Sequence, residues 1–213
     1  MNVSEKEKPP SLSELVGAAA FLVGLFSAWL YATGWTYAYH YFDRFGIPLL
    51  MVEIPKENYL VYGGIVARQF PVWGLAIGAA ALVVVASWRW LGAKVGPLML
   101  PLALLAMLAV FWLGHQGGVV AAHRQYGLQR ETDYRAYPRI QVWPKEKAKM
   151  PEGSPTASAD LTNGCYRLLL HNQNRLFLLR PLKGAPAADL PLLILPWDQI
   201  EQIRVLPDHT SCE

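Results

Sequence analysis

Three long uncharged apolar runs limit what this chain can fold into. They are Leu15–Thr33 (LVGAAAFLVGLFSAWLYAT), Pro71–Trp88 (PVWGLAIGAAALVVVASW) and Val95–Leu113 (VGPLMLPLALLAMLAVFWL). As a helix, each is long enough to cross roughly 30 Å of hydrocarbon. One such run fits the core of a soluble domain, but three within about 100 residues point to a bilayer. Across the 213 residues only 16% are charged, against about 25% in soluble domains, and the deficit lies in the first 120 or so. The first run is too long for a signal peptide, and bulky aromatics follow it rather than a small-residue cleavage site, so the expectation is a retained helix.

The stretch after the first run, GWTYAYHYFDRFGIP, marks where that helix meets water. Trp35, Tyr37, Tyr39, Tyr41 and Phe42 read as an aromatic belt at the headgroups, because such rings join an apolar body to a polar tip. Asp43 and Arg44 then face water, and Gly46 and Pro48 stop the helix. His40 has no second ligand at metal spacing beside it. Residues 46–70 are too polar to span and too apolar for a solvated loop. They either lie on the membrane surface or pack on the C-terminal domain, with Arg68 snorkelling near the interface or acting as a functional intramembrane charge.

Small residues recur four apart, as Ala20, Gly24 and Ala28 on the first helix, Gly74 and Gly78 on the second, and Gly114 and Gly118 on the third. Such stripes let helix backbones approach in lipid, either within one bundle or against a partner. Pro97 and Pro101 fit an entry turn to the third helix. For orientation, Arg89 and Lys94 form an acid-free turn between the second and third runs, and Lys6 and Lys8 precede the first. The positive-inside rule then places the N-terminus in the cytoplasm and everything after the third helix outside. His123, Arg124, Arg130, Arg135 and Arg139 argue the other way.

The rest reads as a small β-rich domain. RIQVWP (139–144) is a strand, residues 145–164 a polar loop, and CYRLLLHNQNRLFLLRPL a hairpin turning at HNQN. LPLLILPW is a buried strand, DQIEQI one helical turn capped by Asp198, and RVLP a closing strand. The two cysteines, Cys165 and Cys212, bracket the part of this domain from the hairpin on, and in an exported protein they read as either a disulfide or two unrelated thiols. The expected fold class is thus a membrane protein of α+β type, with three transmembrane helices over residues 1–122, including the interfacial 46–70 loop, and a small β-rich extracytoplasmic domain over 123–213.

YHYFDRFGIP, together with the segment from GCYRLLLHNQNRLFLLRP through LPLLILPWDQIEQIRVLPDHTSCE, resembles a group of uncharacterised bacterial integral membrane proteins with N-terminal transmembrane helices and a small C-terminal β domain. The resemblance implies the same architecture and a bacterial origin, and it implies no activity; the expected location is the bacterial inner membrane. The hairpin followed by LPWDQIEQIRV is also similar to bacterial PH-like modules in its strand–turn–strand pattern.

Catalytic patterns are absent from the sequence. Ser154, Ser158 and Ser211 lie in no nucleophile elbow, the histidines lack metal spacing, and there is no Gly-rich phosphate loop. A net charge of +3 without a basic stripe argues against nucleic acid. The expectation is a non-enzymatic protein without cofactor or metal. Its partners would be the lipid bilayer and another membrane or envelope protein, or further copies of itself, and the periplasmic β domain would be presented to a partner or ligand. The rival reading is a subunit of an oligomeric channel or transporter, with Arg68, the Gly74–Gly78 motif and the aromatic exit along a pore.

Overall fold

A computed structural model describes residues 11–71, 96–145, 160–181 and 191–207. The chain forms two compact units. The first takes residues up to Tyr37 together with 56–118, and the second takes 38–55 together with 119–213.

Among the described residues, three helices contribute to the first unit: α1 (Leu12–Asp43), α2 (Lys56–Gln69) and α3 (Gly96–Glu131). Helices α1 and α3 are long and apolar enough to cross a membrane, with candidate spans Ala19–Asp43 and Leu104–Glu131. Their outer surfaces carry Val16, Phe21, Val23 and Phe26 on α1, and Leu104, Leu105, Leu108 and Trp112 on α3, all exposed. The expected middle crossing, Pro71–Trp88, falls almost wholly outside the described residues.

Glycine decides where these helices meet. A β-carbon on Gly63 would strike the backbone of Leu30, and one on Gly34 would strike the carbonyl of Tyr59. Since residue 59 pairs with 34 and residue 63 with 30, α2 runs antiparallel to α1. On α3, a β-carbon at Gly114 would come within 2.5 Å of Thr33 Oγ1 and Trp29 Nε1, and one at Gly118 within 2.9 Å of the Thr33 carbonyl. Trp29 is buried there, and its indole N–H donates to the Val110 carbonyl over 3.1 Å.

The second unit begins with the ends of α1 and α3. Helix α1 runs through the whole aromatic tract and stops in a Schellman motif, in which Ile47 N–H bonds Phe42 C=O at 3.2 Å and Gly46 N–H bonds Asp43 C=O at 2.9 Å. Gly46 takes the left-handed conformation this stop requires, with φ of 69°. Residues 123–131, expected to belong to the β-rich domain, continue α3. That helix ends in the same motif, Tyr134 N–H to Gln129 C=O and Asp133 N–H to Arg130 C=O, with Asp133 at φ 51° in the glycine position. Pro101 lies inside α3 rather than at its entry.

The sheet has five strands: β1 (Arg139–Pro144), β2 (Tyr166–His171), β3 (Arg175–Leu179), β4 (Leu192–Pro196) and β5 (Ile200–Leu206). All pairings are antiparallel, in the order β4-β3-β2-β1-β5. Together with the helices this gives an α+β architecture. Ile140, Val142, Tyr166, Leu176, Leu178, Leu195 and Ile200 form one core layer with Leu161. Side chains alternate along a strand, so Phe177 and Leu179 point to the opposite face, and both are fully buried. Both faces of β3 are therefore covered.

Two expectations about the end of the chain are corrected. Only Trp197–Gln199 is helical, as one 3-10 turn; Pro196 holds the cap position and no side chain caps it, so Asp198 is not the cap. Ile200 returns to extended backbone, and residues 200–206 pair along the full length of β1. A single helical turn gains few hydrogen bonds for the residues it fixes, whereas β1 offers a ladder. Strand β4 is an edge strand, and of its residues only Leu195 is fully buried.

Candidate functional site

The polar centre of the second unit is the HNQN turn between β2 and β3. Asn172 Oδ1 accepts the backbone N–H groups of Asn174 at 3.0 Å and Arg175 at 2.7 Å, an Asx turn. Its side-chain amide donates to the Met51 carbonyl at 3.2 Å, and its own carbonyl accepts the Trp197 indole N–H at 2.7 Å. The Trp197 backbone N–H bonds Asn174 C=O at 3.0 Å. Asn172 thus ties together the hairpin tip, the Leu49–Met51 3-10 turn and the turn before β5.

This bracing fixes the Trp197 ring at the surface. It stands edge-on to His171, with ring centres 6.4 Å apart. The pair forms the shared wall of two open hollows. One, of about 630 Å³, is bordered by Glu53, Pro55, Asn172 and Gln173. The other, of about 340 Å³, is bordered by Leu168, Leu176, Ile200 and Ile203, with Glu201 and Gln202 on its rim. Glu53 sits in left-handed backbone, φ 47°, a conformation costly for a residue with a β-carbon. Leu50, in the turn that Asn172 holds, is 96% exposed. Together these groups offer ring stacking, one imidazole and rim carboxylates, suited to hydrogen-bonding and packing against a partly apolar chain. Among the described residues no group of three His, Cys, Asp or Glu is placed to hold a metal ion.

The residues singled out from the sequence are distributed as follows. Trp35 and Tyr39 are exposed, whereas Tyr37, Tyr41 and Phe42 are buried within protein. Tyr37 packs on Tyr62 with ring centres 5.5 Å apart, and the Tyr41 hydroxyl bonds that of Tyr137. Phe45 stacks edge-on with Tyr41 and Tyr126. Gly114 and Gly118 sit at a helix crossing, but Ala20, Gly24 and Ala28 face outward, and a β-carbon on Gly24 would meet nothing within 4 Å. Cys165 is disulfide-bonded. Gly74, Gly78 and Cys212 lie outside the described residues.

Residues 46–70 divide at 55/56. Ile47 and Val52 are buried in the second unit, while Tyr59, Gly63 and Val66 form the buried side of α2 in the first. Asn172, Trp197, Glu53, Gly34 and Gly63 are missing from the sequence reading. The HNQN turn did hold a signal, since Asn opening a hairpin turn favours an Asx turn. No family model, curated protein or solved structure matches this chain.

Proposed function

We propose that this chain is a multi-pass membrane protein of the bacterial inner membrane. On this reading its helices anchor a small sheet unit outside the cell membrane, and that unit binds a partner protein through the Trp197–His171 surface. The protein acts by binding rather than catalysis and needs no cofactor. Membrane insertion is supported by the surfaces of α1 and α3, since only 22% of each apolar window is buried within the protein. A soluble core helix of such composition would be covered nearly all round.

The observation that carries the binding role is the bracing of Trp197. Its indole N–H and backbone N–H are both bonded to one turn, so the exposed ring is held before any ligand arrives. Rigid exposed aromatics lose little entropy on binding and are enriched at interface hot spots. A photo-reactive amino acid at Gln173 in the full chain, illuminated in cells, tests this. One discrete adduct, lost in Trp197→Ala at unchanged membrane level, is the expected result. No adduct, or one indifferent to Trp197→Ala, would reject it.

A further inference from the structure

On the second unit, the last turn of α1, the residue just after it and the facing turn of α3 bring three basic side chains together. Arg44 Nη2 lies 2.9 Å from His123 Nε2, and the His40 and His123 rings stand edge-on with centres 6.3 Å apart. Arginine can only donate, so His123 Nε2 accepts and its ring proton sits on Nδ1. One guanidinium N–H is spent on this bond, which leaves four donors on Arg44. Arg44 and His123 are both exposed, and so is the neighbouring Asp43. No carboxylate among the described residues is salt-bridged to Arg44. One turn beyond His123, Gly127 leaves open space, since a β-carbon there would meet nothing within 4 Å. On the other side Tyr39 is exposed and packs edge-on against His40 at 5.2 Å.

We infer that Arg44, His123 and His40 form a binding site for the phosphate of an anionic phospholipid. The Arg44 fork and His123 Nδ1–H donate to the phosphate oxygens, and the space over Gly127 admits the headgroup. A guanidinium fork matches the geometry of phosphate oxygens. Both helices that build the cluster are candidate spans, and His40 lies in the last turn of α1. Exposed Tyr39 is the kind of ring that settles at the same depth as phosphate groups. The inference rests on the membrane reading above, though not on the Trp197 surface.

Native mass spectrometry of the full chain in mild detergent, with phosphatidylglycerol or phosphatidylcholine added, tests it. Resistance of the wild-type chain to alkaline carbonate extraction is measured separately, so a failure of the membrane reading is distinguished from a failure of the site. Phosphatidylglycerol should be retained in preference to phosphatidylcholine. Arg44→Gln should weaken that retention about tenfold, the effect of losing a charged hydrogen-bond fork. His123→Ala should weaken it too, and Arg44→Lys by less than Arg44→Gln. Arg204→Gln, which removes an exposed charge on β5, should leave it unchanged. Should Arg44→Gln fail to fold, a loss in Arg44→Lys and His123→Ala still supports the site. Equal retention of both lipids overturns the proposal, as does a loss in Arg204→Gln matching that in Arg44→Gln. Competition by glycerol phosphate at the lipid's own concentration would make soluble phosphate the ligand and overturn the lipid assignment.

Discussion

Gly34 of α1 lies so close to Gly63 of α2 that a β-carbon at Gly34 would come within 2.6 Å of the Gly63 backbone nitrogen. The atoms that would clash are backbone, which cannot rotate away. Gly34→Ala and Gly63→Ala should therefore each destabilise the first unit by about 1–3 kcal/mol, the usual range for overpacking. Gly24→Ala, where a β-carbon meets open space, should change stability far less. Thermal melts of the three variants in one detergent check this, and equal melting temperatures would contradict the crossing.

The contrast between Gly24 and Gly34 shows what the sequence could reveal. Spacing of four identifies small residues on one helix face, but not which face is turned inward. Gly34 with Ala38 and Gly63 with Ala67 share that spacing, and nothing in the spacing sets them apart from the outward-facing Ala20, Gly24 and Ala28. The strands were legible at Arg139–Pro144 and on both sides of HNQN, where apolar runs meet clear turn residues. Residues 200–203 were not, since IEQI fits a helical turn as well as an edge strand until β1 is known to need a partner, whereas Arg204–Leu206 already read as the closing strand. The stop of α1 was visible in Gly46, whereas the stop of α3 uses Asp133, which carries no such signal. The Trp197 surface was invisible because Met51, Asn172 and Trp197 are brought together only by the fold.

Asn172 should be the most sensitive polar residue of the second unit. Asn172→Ala removes three side-chain hydrogen bonds, each worth about 0.5–1.5 kcal/mol net. A loss of roughly 2 kcal/mol is expected. Amide hydrogen exchange should quicken at Arg175, whose N–H bonds Oδ1, while β1 and β5 stay protected. Unchanged exchange at Arg175 would show that the turn holds without it.

Alkaline pH should destabilise the protein through Tyr134. Burial is the main cause that pushes its phenol far above the usual tyrosine value of 10.0, and Tyr126 adds to the shift. The folded state therefore keeps a proton that the unfolded state has lost above that pH. The stability linked to this group is intact below pH 10 and falls as the pH climbs past it. Tyr166, also raised mainly by burial, acts in the same direction. Tyr134→Phe should flatten the decline above pH 10 without abolishing it. An identical decline in the variant would exclude Tyr134 as a source.

The proposed orientation rests on the sequence alone, where Arg89 and Lys94, with no acid between them, favour the cytoplasm. A reporter active only in the periplasm, fused after Glu213, should be active, and a cytoplasmic reporter at the same place should not. The reverse result would invert the topology and put the sheet unit in a reducing compartment.

The bond at Cys165 provides the last test. The chain has one other cysteine, Cys212, so the expected partner is that residue. Strand β2 does not lie beside β5, because β1 runs between them. Tyr166 pairs with Ile140, and Ile140 with Val205, so the start of β2 and the end of β5 fall at one level of the sheet. A β-carbon on Gly164 would touch the Leu206 side chain, so the chain just before Cys165 packs near the end of β5. A bridge to Cys212 would close a loop of about 47 residues, which chain entropy values at roughly 4 kcal/mol as an upper figure. Cys165→Ser and Cys212→Ser should each lower the melting temperature of the full chain under non-reducing conditions, and by similar amounts. The double variant should be no worse, because both changes break the same bond. Reductant should bring the wild type to the same melting temperature. Intact mass after alkylation without reductant is the direct measurement, and two added alkyl groups on the wild-type chain would dismiss the pairing.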